Sequence, residues 1–290
     1  LHQNEKRRLS PLFVMIWRTA KGDTDLAARG LIMGVLNVTL DSFSDGGKFT
    51  TVESAVAHAL EMEQQGADII DVGGESTRPG AQPVSAQEEM QRVLPVIEAL
   101  ADRTRCEISV DTYKPEVAQA AILSGASIIN DVSGLRDPRM IEVAGETGAG
   151  VIAMHMQGTP GDMQRDPHYG DVVAEIREFF RQTFARAVTS GLAPMSIAFD
   201  PGIGFGKTVA HNLTLLKNLA ALRVEQRPLV VGVSRKSFIG RILDDMEMKA
   251  RDWPTVALTS YACEHGANVI RVHEVKPNVE ALRMTEAIVG

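Results

Sequence analysis

Apolar residues along this chain come in short bursts. One phrase recurs: Gly-Ala, one variable residue, then two branched apolar residues. It appears at Gly66-Ala67-Asp68-Ile69-Ile70, at Gly125-Ala126-Ser127-Ile128-Ile129 and at Gly266-Ala267-Asn268-Val269-Ile270, with a looser copy at Gly148-Ala149-Gly150-Val151-Ile152. A glycine in this setting suits the left-handed residue that ends a helix. The branched run suits a strand buried on both faces. Each copy therefore marks a helix-to-strand junction, and the repetition predicts a βα array.

Reading outward from these junctions predicts strands over 31–36, 69–72, 107–110, 128–130, 151–154, 196–199, 229–233 and 269–272. Helical periodicity lies between them, over 52–65, 86–101, 115–123, 140–147, 172–190, 212–221, 255–264 and 278–288. Strand alternating with helix through eight units points to a single-domain TIM (β/α)8 barrel, with a doubly wound sheet as the alternative. Residues 1–30 read as an N-terminal tail with an early strand, and 31–290 as the barrel. Lys6, Arg7 and Arg8 precede a short apolar run over 12–17. Six apolar residues ended by Arg18 are too few for a signal sequence, so the run is assigned to the early strand.

Composition narrows the class. With 44% apolar and 23% charged residues the chain is an ordinary core-forming protein, and no apolar run is long enough for a bilayer. A net charge of −7 argues against a nucleic-acid partner. The two cysteines, Cys106 and Cys263, lack metal-ligand spacing and sit in apolar stretches, as expected of a reduced, cytoplasmic protein.

The chemistry is concentrated where the predicted strands end. Asn37 follows the first, Asp71 ends the second, and Asp111 follows the third. Asn130-Asp131 ends the fourth, His155 follows the fifth, and Asp200 follows the sixth. Ser234-Arg235-Lys236 follows the seventh, and Arg271 and His273 close the eighth. In a βα barrel these positions converge on one rim. Any one of them could simply cap the next helix. Together, buried carboxylates and amides need a ligand or partner to satisfy them. Two loops, 37–47 and 73–81, mix Gly, Ser and Asp with single bulky or charged residues, Phe43 and Arg78, and suit lids over a substrate. Gly202-Ile203-Gly204-Phe205-Gly206-Lys207-Thr208 imitates a nucleotide P-loop, but the motif's first glycine is replaced by Pro201.

At these residues the chain resembles the dihydropteroate synthase family. The matching blocks are Met33-Gly34-Val35-Leu36-Asn37-Val38-Thr39, 41–47, 71–80, 109–111, Asn130-Asp131, 154–157, 200–207, 234–237 and 271–273, in the family's order. The resemblance implies a TIM barrel that joins 6-hydroxymethyl-7,8-dihydropterin pyrophosphate to 4-aminobenzoate. It implies catalytic roles for Asp111, Asp200, Lys236, Arg271 and His273. Asp111, Asn130, Asp200 and Lys236 would bind the pterin. Asn37, Arg78, Arg271 and His273 would bind pyrophosphate, with Mg²⁺ beside Asn37. Thr77, Arg78, Pro79, Phe205, Lys236 and Ser237 would line the aminobenzoate site, which is also the sulfonamide target. Homodimers are usual in the family, so a homodimer is expected here. The chain departs from the family at Leu40, for a usual proline, at Glu274, for an aspartate, at Pro254, for a glycine, and at Tyr113, where serine is frequent. The competing reading is a pterin-dependent corrinoid methyltransferase. It would share Asp111, Asn130 and Asp200 but would not need the Ser234–Ser237 block or the Arg271/His273 pair.

Overall fold

The computed structural model describes residues 14–27, 29–38, 52–76, 82–159, 161–245 and 247–289. It opens with a hairpin of β1 (Ile16–Thr19) and β2 (Gly22–Asp25). The barrel then follows: β3 (Leu31–Asn37), α1 (Val52–Gln64), β4 (Ile69–Gly73), α2 (Ala86–Ala101), β5 (Glu107–Asp111) and α3 (Pro115–Leu123). It continues with β6 (Ile128–Asp131), α4 (Pro138–Thr147), β7 (Gly150–Met154), α5 (Val172–Thr189), β8 (Ile197–Asp200) and α6 (Val209–Lys217). The last units are β9 (Val230–Val231), α7 (Ser237–Leu243), α8 (Asp252–Glu264), β10 (Val269–Val272) and α9 (Val275–Val289).

The eight barrel strands lie in the order β8-β7-β6-β5-β4-β3-β10-β9, every pair parallel. A parallel bridge between Phe199 and Leu229, with the Phe199 N–H donated to the Pro228 carbonyl at 2.9 Å, closes β8 onto β9. The sheet is therefore a TIM barrel and not the doubly wound alternative.

The recurring Gly-Ala phrase does what its composition predicts. Gly66, Gly125, Gly148 and Gly266 all have positive φ, and the alanine N–H after three of them reaches back to Met62, Ala121 and Ala262 carbonyls. That closes each helix in a Schellman turn and delivers the chain into the next strand. Four helices begin earlier than apolar spacing suggests: α4 at Pro138, α6 at Val209, α8 at Asp252 and α9 at Val275. First turns carry polar, capping chemistry that apolar periodicity does not register. Asp137 caps α4, and Thr208 with His211 forms a capping box on α6. Helix α7 has no counterpart in the pattern, because seven residues are too few to show a period. The seventh strand is shorter than expected, since only Val230 and Val231 hold a ladder with β10.

The early strand is half of a hairpin. Its start at Leu12 and Phe13 lies outside the described residues. Met15, Trp17 and Leu26 of the hairpin region pack on Leu31, Met33, Ile69, Ile128, Ile152, Ala198, Val230 and Val269, one apolar layer inside the barrel. The hairpin thus stoppers the end where the strands begin. The Trp17 indole donates to the Ser196 carbonyl at 3.1 Å, and Arg227 donates to the Ile16, Met195 and Ile197 carbonyls. No helix among the described residues is long and apolar enough to cross a membrane.

Candidate active site

A strand shows alternate residues to opposite faces. Ile70, Val72, Val110, Ile129, Val151, Phe199, Val231, Ile270 and Val272 therefore point out, into the core shared with the helices. Their neighbours point into the barrel. Near the strand starts these are the apolar residues capped by the hairpin. Near the strand ends the inner layer turns polar. Asp111, Asn130, Met154, Asp200, Gly232 and Arg271 line one pocket with Val132, Gly202, Ile203, Phe205 and Lys236. The pocket mixes carboxylates, an amide and cations with apolar walls from Val132, Met154, Ile203 and Phe205.

Alternation also sorts the paired polar residues that sequence could not separate. Asn130 points in. Asp131 points out and fixes its own loop, accepting from the Ser133 and Leu135 amides at 2.7 and 2.8 Å. Lys236 points in. Arg235 turns away with φ 56° and is held by Asp252, at 2.6 and 3.0 Å, and by Glu274. Glu274, a departure from the family pattern, thus anchors the left-handed backbone that aims Lys236.

The electrostatic centre is Arg271. Its Nε donates to Asp71 Oδ2 at 2.6 Å and its Nη2 to Asp111 Oδ2 at 2.7 Å. Asn130 Nδ2 donates to the same Asp71 oxygen at 3.1 Å, which leaves its carbonyl oxygen for another partner. Asp71 Oδ1 and Asp111 Oδ1 are buried and have no hydrogen-bond partner among the described residues. Burial pushes the Asp111 carboxyl up to about 7, against the pull of Arg271, with Asp71 and Glu89 adding to the rise. Burial also raises Asp200, opposed by the Gly202 amide at 2.6 Å and by Lys236 and Arg271. Burial lowers Lys236 to about 8; Arg271 adds to this, while Asp200 and Asp111 oppose it. For Arg271, burial is outweighed by its carboxylates, so it stays charged. Three carboxylates around two cations call for a ligand edge rich in N–H donors.

Beside this pocket the Lys236 ammonium lies 3.9 Å from the centre of the Phe205 ring. Ser237 opens α7 and is exposed. On the other side, Ser234 Oγ accepts the His273 amide at 3.2 Å and meets His273 Nδ1 at 2.9 Å. The hydroxyl can then donate to Nδ1, which sets the Nε2–H tautomer. Asn37 ends β3 on the same rim beside Gly73. Thr77, Arg78, Pro79, Phe43 and Leu40 lie outside the described residues. The other departures are accommodated: Tyr113 donates to Glu75 at 3.0 Å, and Pro254 sits in the first turn of α8, where an amide has no helical partner.

Three contributors went unassigned in the sequence. Asp71 stood among the strand-end polar residues, but only its ion pair reveals its part. Ser234 gave the same weak signal. Lys207 has no role in the P-loop lookalike, yet it is buried next to the pocket-lining Phe205.

A family model for pterin binding enzymes matches residues 33–273. The chain is 50% identical to the dihydropteroate synthase of Escherichia coli strain K12 over 88% of its length and 90% of that protein's. The chain belongs to the dihydropteroate synthases. These enzymes are transferases, and the barrel described above is theirs in detail. The Yersinia pestis dihydropteroate synthase in a sulfonamide drug complex superposes with a TM-score of 0.89 at 46% identity, over 94% of this chain and 99% of that one. The Xanthomonas albilineans dihydropteroate synthase with 4-aminobenzoic acid gives 0.89 at 43% identity, over 95% and 98%.

Proposed function

We propose that the pocket binds the pterin of 6-hydroxymethyl-7,8-dihydropterin pyrophosphate and that 4-aminobenzoate enters beside it, to give 7,8-dihydropteroate and pyrophosphate. The observation that carries this reading is the pair of buried carboxylates, Asp111 and Asp200, facing one cavity with Lys236 between them and the Phe205 ring. A pterin edge offers a 2-amino group and ring N–H donors to Asp111, Asp200 and the Asn130 carbonyl. Lys236 donates to the acceptor side of the ring.

In this reading Arg271, His273 and Asn37, with Arg78 from the second loop, hold the pyrophosphate. Two of the three Arg271 nitrogens already serve carboxylates, so Arg271 joins the pterin and anion sites instead of belonging to the anion alone. Among the described residues no group of three acidic, His or Cys side chains could hold a metal. Mg²⁺ tends to keep water and phosphate ligands and to need few from the protein. Asn37 would offer it one amide oxygen. When bound, Mg²⁺ would neutralise charge on the departing pyrophosphate.

The bond from the pterin methylene to the pyrophosphate oxygen breaks with both electrons leaving on the phosphate. Asp111 and Asp200 stabilise the positive charge that spreads into the ring, as preorganised anions in a site shielded from water. The 4-aminobenzoate amine then forms the new C–N bond and loses a proton. Phe205, Lys236 and Ser237, with Thr77, Arg78 and Pro79, receive the aminobenzoate. A homodimer is the expected assembly. The exposed Ile242, Leu243, Met248 and Trp253 around α7 and α8 are the surface it would cover, and sedimentation would read it.

The test is a coupled assay of pyrophosphate release. Release should require 4-aminobenzoate and Mg²⁺ together with the pterin substrate. Equal release without the amine would mean hydrolysis, and methyl transfer from methyltetrahydrofolate would mean the corrinoid-linked reaction instead.

A further inference from the structure

The glycine-rich turn that imitates a P-loop ends in a lysine, and the structure gives that lysine a different direction. Lys207 is 2% exposed. Its Nζ donates to the Phe205 carbonyl at 2.9 Å, approaches the His155 carbonyl at 3.3 Å and meets His155 Nδ1 at 3.2 Å. The two carbonyls accept from it, and the imidazole nitrogen can accept as well in its Nε2–H tautomer. Lys207 forms no ion pair among the described residues. A buried ammonium without a carboxylate is expensive, and an apolar residue would usually serve stability better.

The turn that Lys207 gathers is pressed against the end of β7. Gly202, Gly204 and Gly206 have φ of 65°, 85° and 58°, a conformation that side chains disfavour. A Cβ at 202 would stand 2.0 Å from the His155 carbonyl oxygen, and one at 206 would stand 2.6 Å from the Gln157 carbonyl oxygen. Gln164 holds the Gly204 carbonyl at 2.6 Å, Tyr169 the Gly206 carbonyl at 2.9 Å and Asn212 the Gly204 amide at 2.8 Å. Lys207 takes the one between, at Phe205, which is the only residue of the turn with a ring under Lys236. A Cβ at Gly204 would meet the Lys236 stem at 3.1 Å, so turn and lysine side chain are in near contact.

We propose that Lys207 is a positioning residue for the aminobenzoate side of the reaction, fixing the Phe205 carbonyl and thereby the ring against which, beside Lys236, the amine substrate docks. This rests on the reading that the aminobenzoate binds at Phe205 and Lys236. A lysine that served stability alone would affect both substrates alike.

The experiment uses steady-state kinetics of the full chain with both substrates varied. Lys207→Met keeps the stem and removes the donors. The KM for 4-aminobenzoate should rise about tenfold while that for the pterin pyrophosphate stays within about twofold, a loss of binding confined to one substrate. Lys207→Gln, which retains one shorter donor, should fall between. Phe205→Ala on its own should raise the aminobenzoate KM, and adding Lys207→Met to it should change that KM by less than about twofold, because the two act through one group. Parallel rises in both KM values, or effects that multiply in the double variant, would overturn the proposal. So would two lysine variants that fail to fold, since the lysine would then serve stability. If Phe205→Ala leaves the aminobenzoate KM unchanged, the docking side itself is misassigned. If Phe205→Ala acts and Lys207→Met does not, only the role of Lys207 falls.

Discussion

The two ends of the barrel are made by the same strands, a few residues apart, and they hold opposite contents. Where the strands begin, Leu31, Met33, Ile69, Ile128, Ile152, Ala198, Val230 and Val269 meet a hairpin that brings Trp17. Where they end, Asp71, Asp111, Asn130, Asp200 and Arg271 face one another, and among the described residues Asp71 and Asp111 each keep a buried oxygen without a partner. The first end buries apolar area, at about 25 cal/mol per Å², and asks for nothing further. The second end holds polar groups at a cost in stability, which a ligand with matching donors would relieve. One end is therefore built for the fold and the other for binding.

This contrast can be broken by substitution at either end. The largest expected effect is at the closed end. Trp17→Ala should lower stability by ~3–5 kcal/mol in denaturant titration, while the folded fraction keeps its turnover. A loss of turnover with the midpoint unchanged would dissolve the distinction. At the open end, Asp200→Asn should do the reverse. It removes a charge-assisted hydrogen bond worth about 1.5–3 kcal/mol of pterin binding. The Gly202 amide keeps its acceptor, so the melting point should hold or rise. Unchanged pterin affinity by calorimetry would remove Asp200 from the site.

A pH series sharpens the same contrast. Asp111 is raised to about 7, chiefly by burial, whereas an unfolded aspartate titrates near ~3.9. Between those values the native chain binds a proton that the unfolded chain releases. The Asp111 contribution is therefore complete below the unfolded value, declines across the window and is lost above about 7. Asp111→Asn should erase that decline, so its melting point should gain on the parent as pH rises from 5 to 8. A constant gap would show that Asp111 titrates normally. The smallest effect expected is at the hairpin. Thr19→Val removes a 3.1 Å hydrogen bond to Glu107 and should cost about 0.5–1.5 kcal/mol, with no change in either KM.

Much of this was written in the sequence. The Gly-Ala phrase located the helix-to-strand junctions because a left-handed residue and a doubly buried strand each leave a strong local signature. The polar residues at the strand ends located the rim for the same reason. Local signals also had limits. Helix starts hid in polar first turns, and α7 was too short to show a period. Which member of a polar pair faces the ligand depends on strand register, a property of neighbouring chains in space. Register placed Asn130 inside and Asp131 outside, and pairing of the last strand, β10, with β3 set Arg271 one strand away from Asp71 on β4, with Asp111 on β5 beyond it. The hairpin's place as a stopper and the inward turn of Lys207 likewise depend on partners distant in sequence. The chain by itself determined its elements and its inventory of chemical groups. Only the tertiary structure decided which of those groups meet, because an ion pair between residues 71 and 271 exists only once the last strand of the chain has paired with the first strand of the barrel.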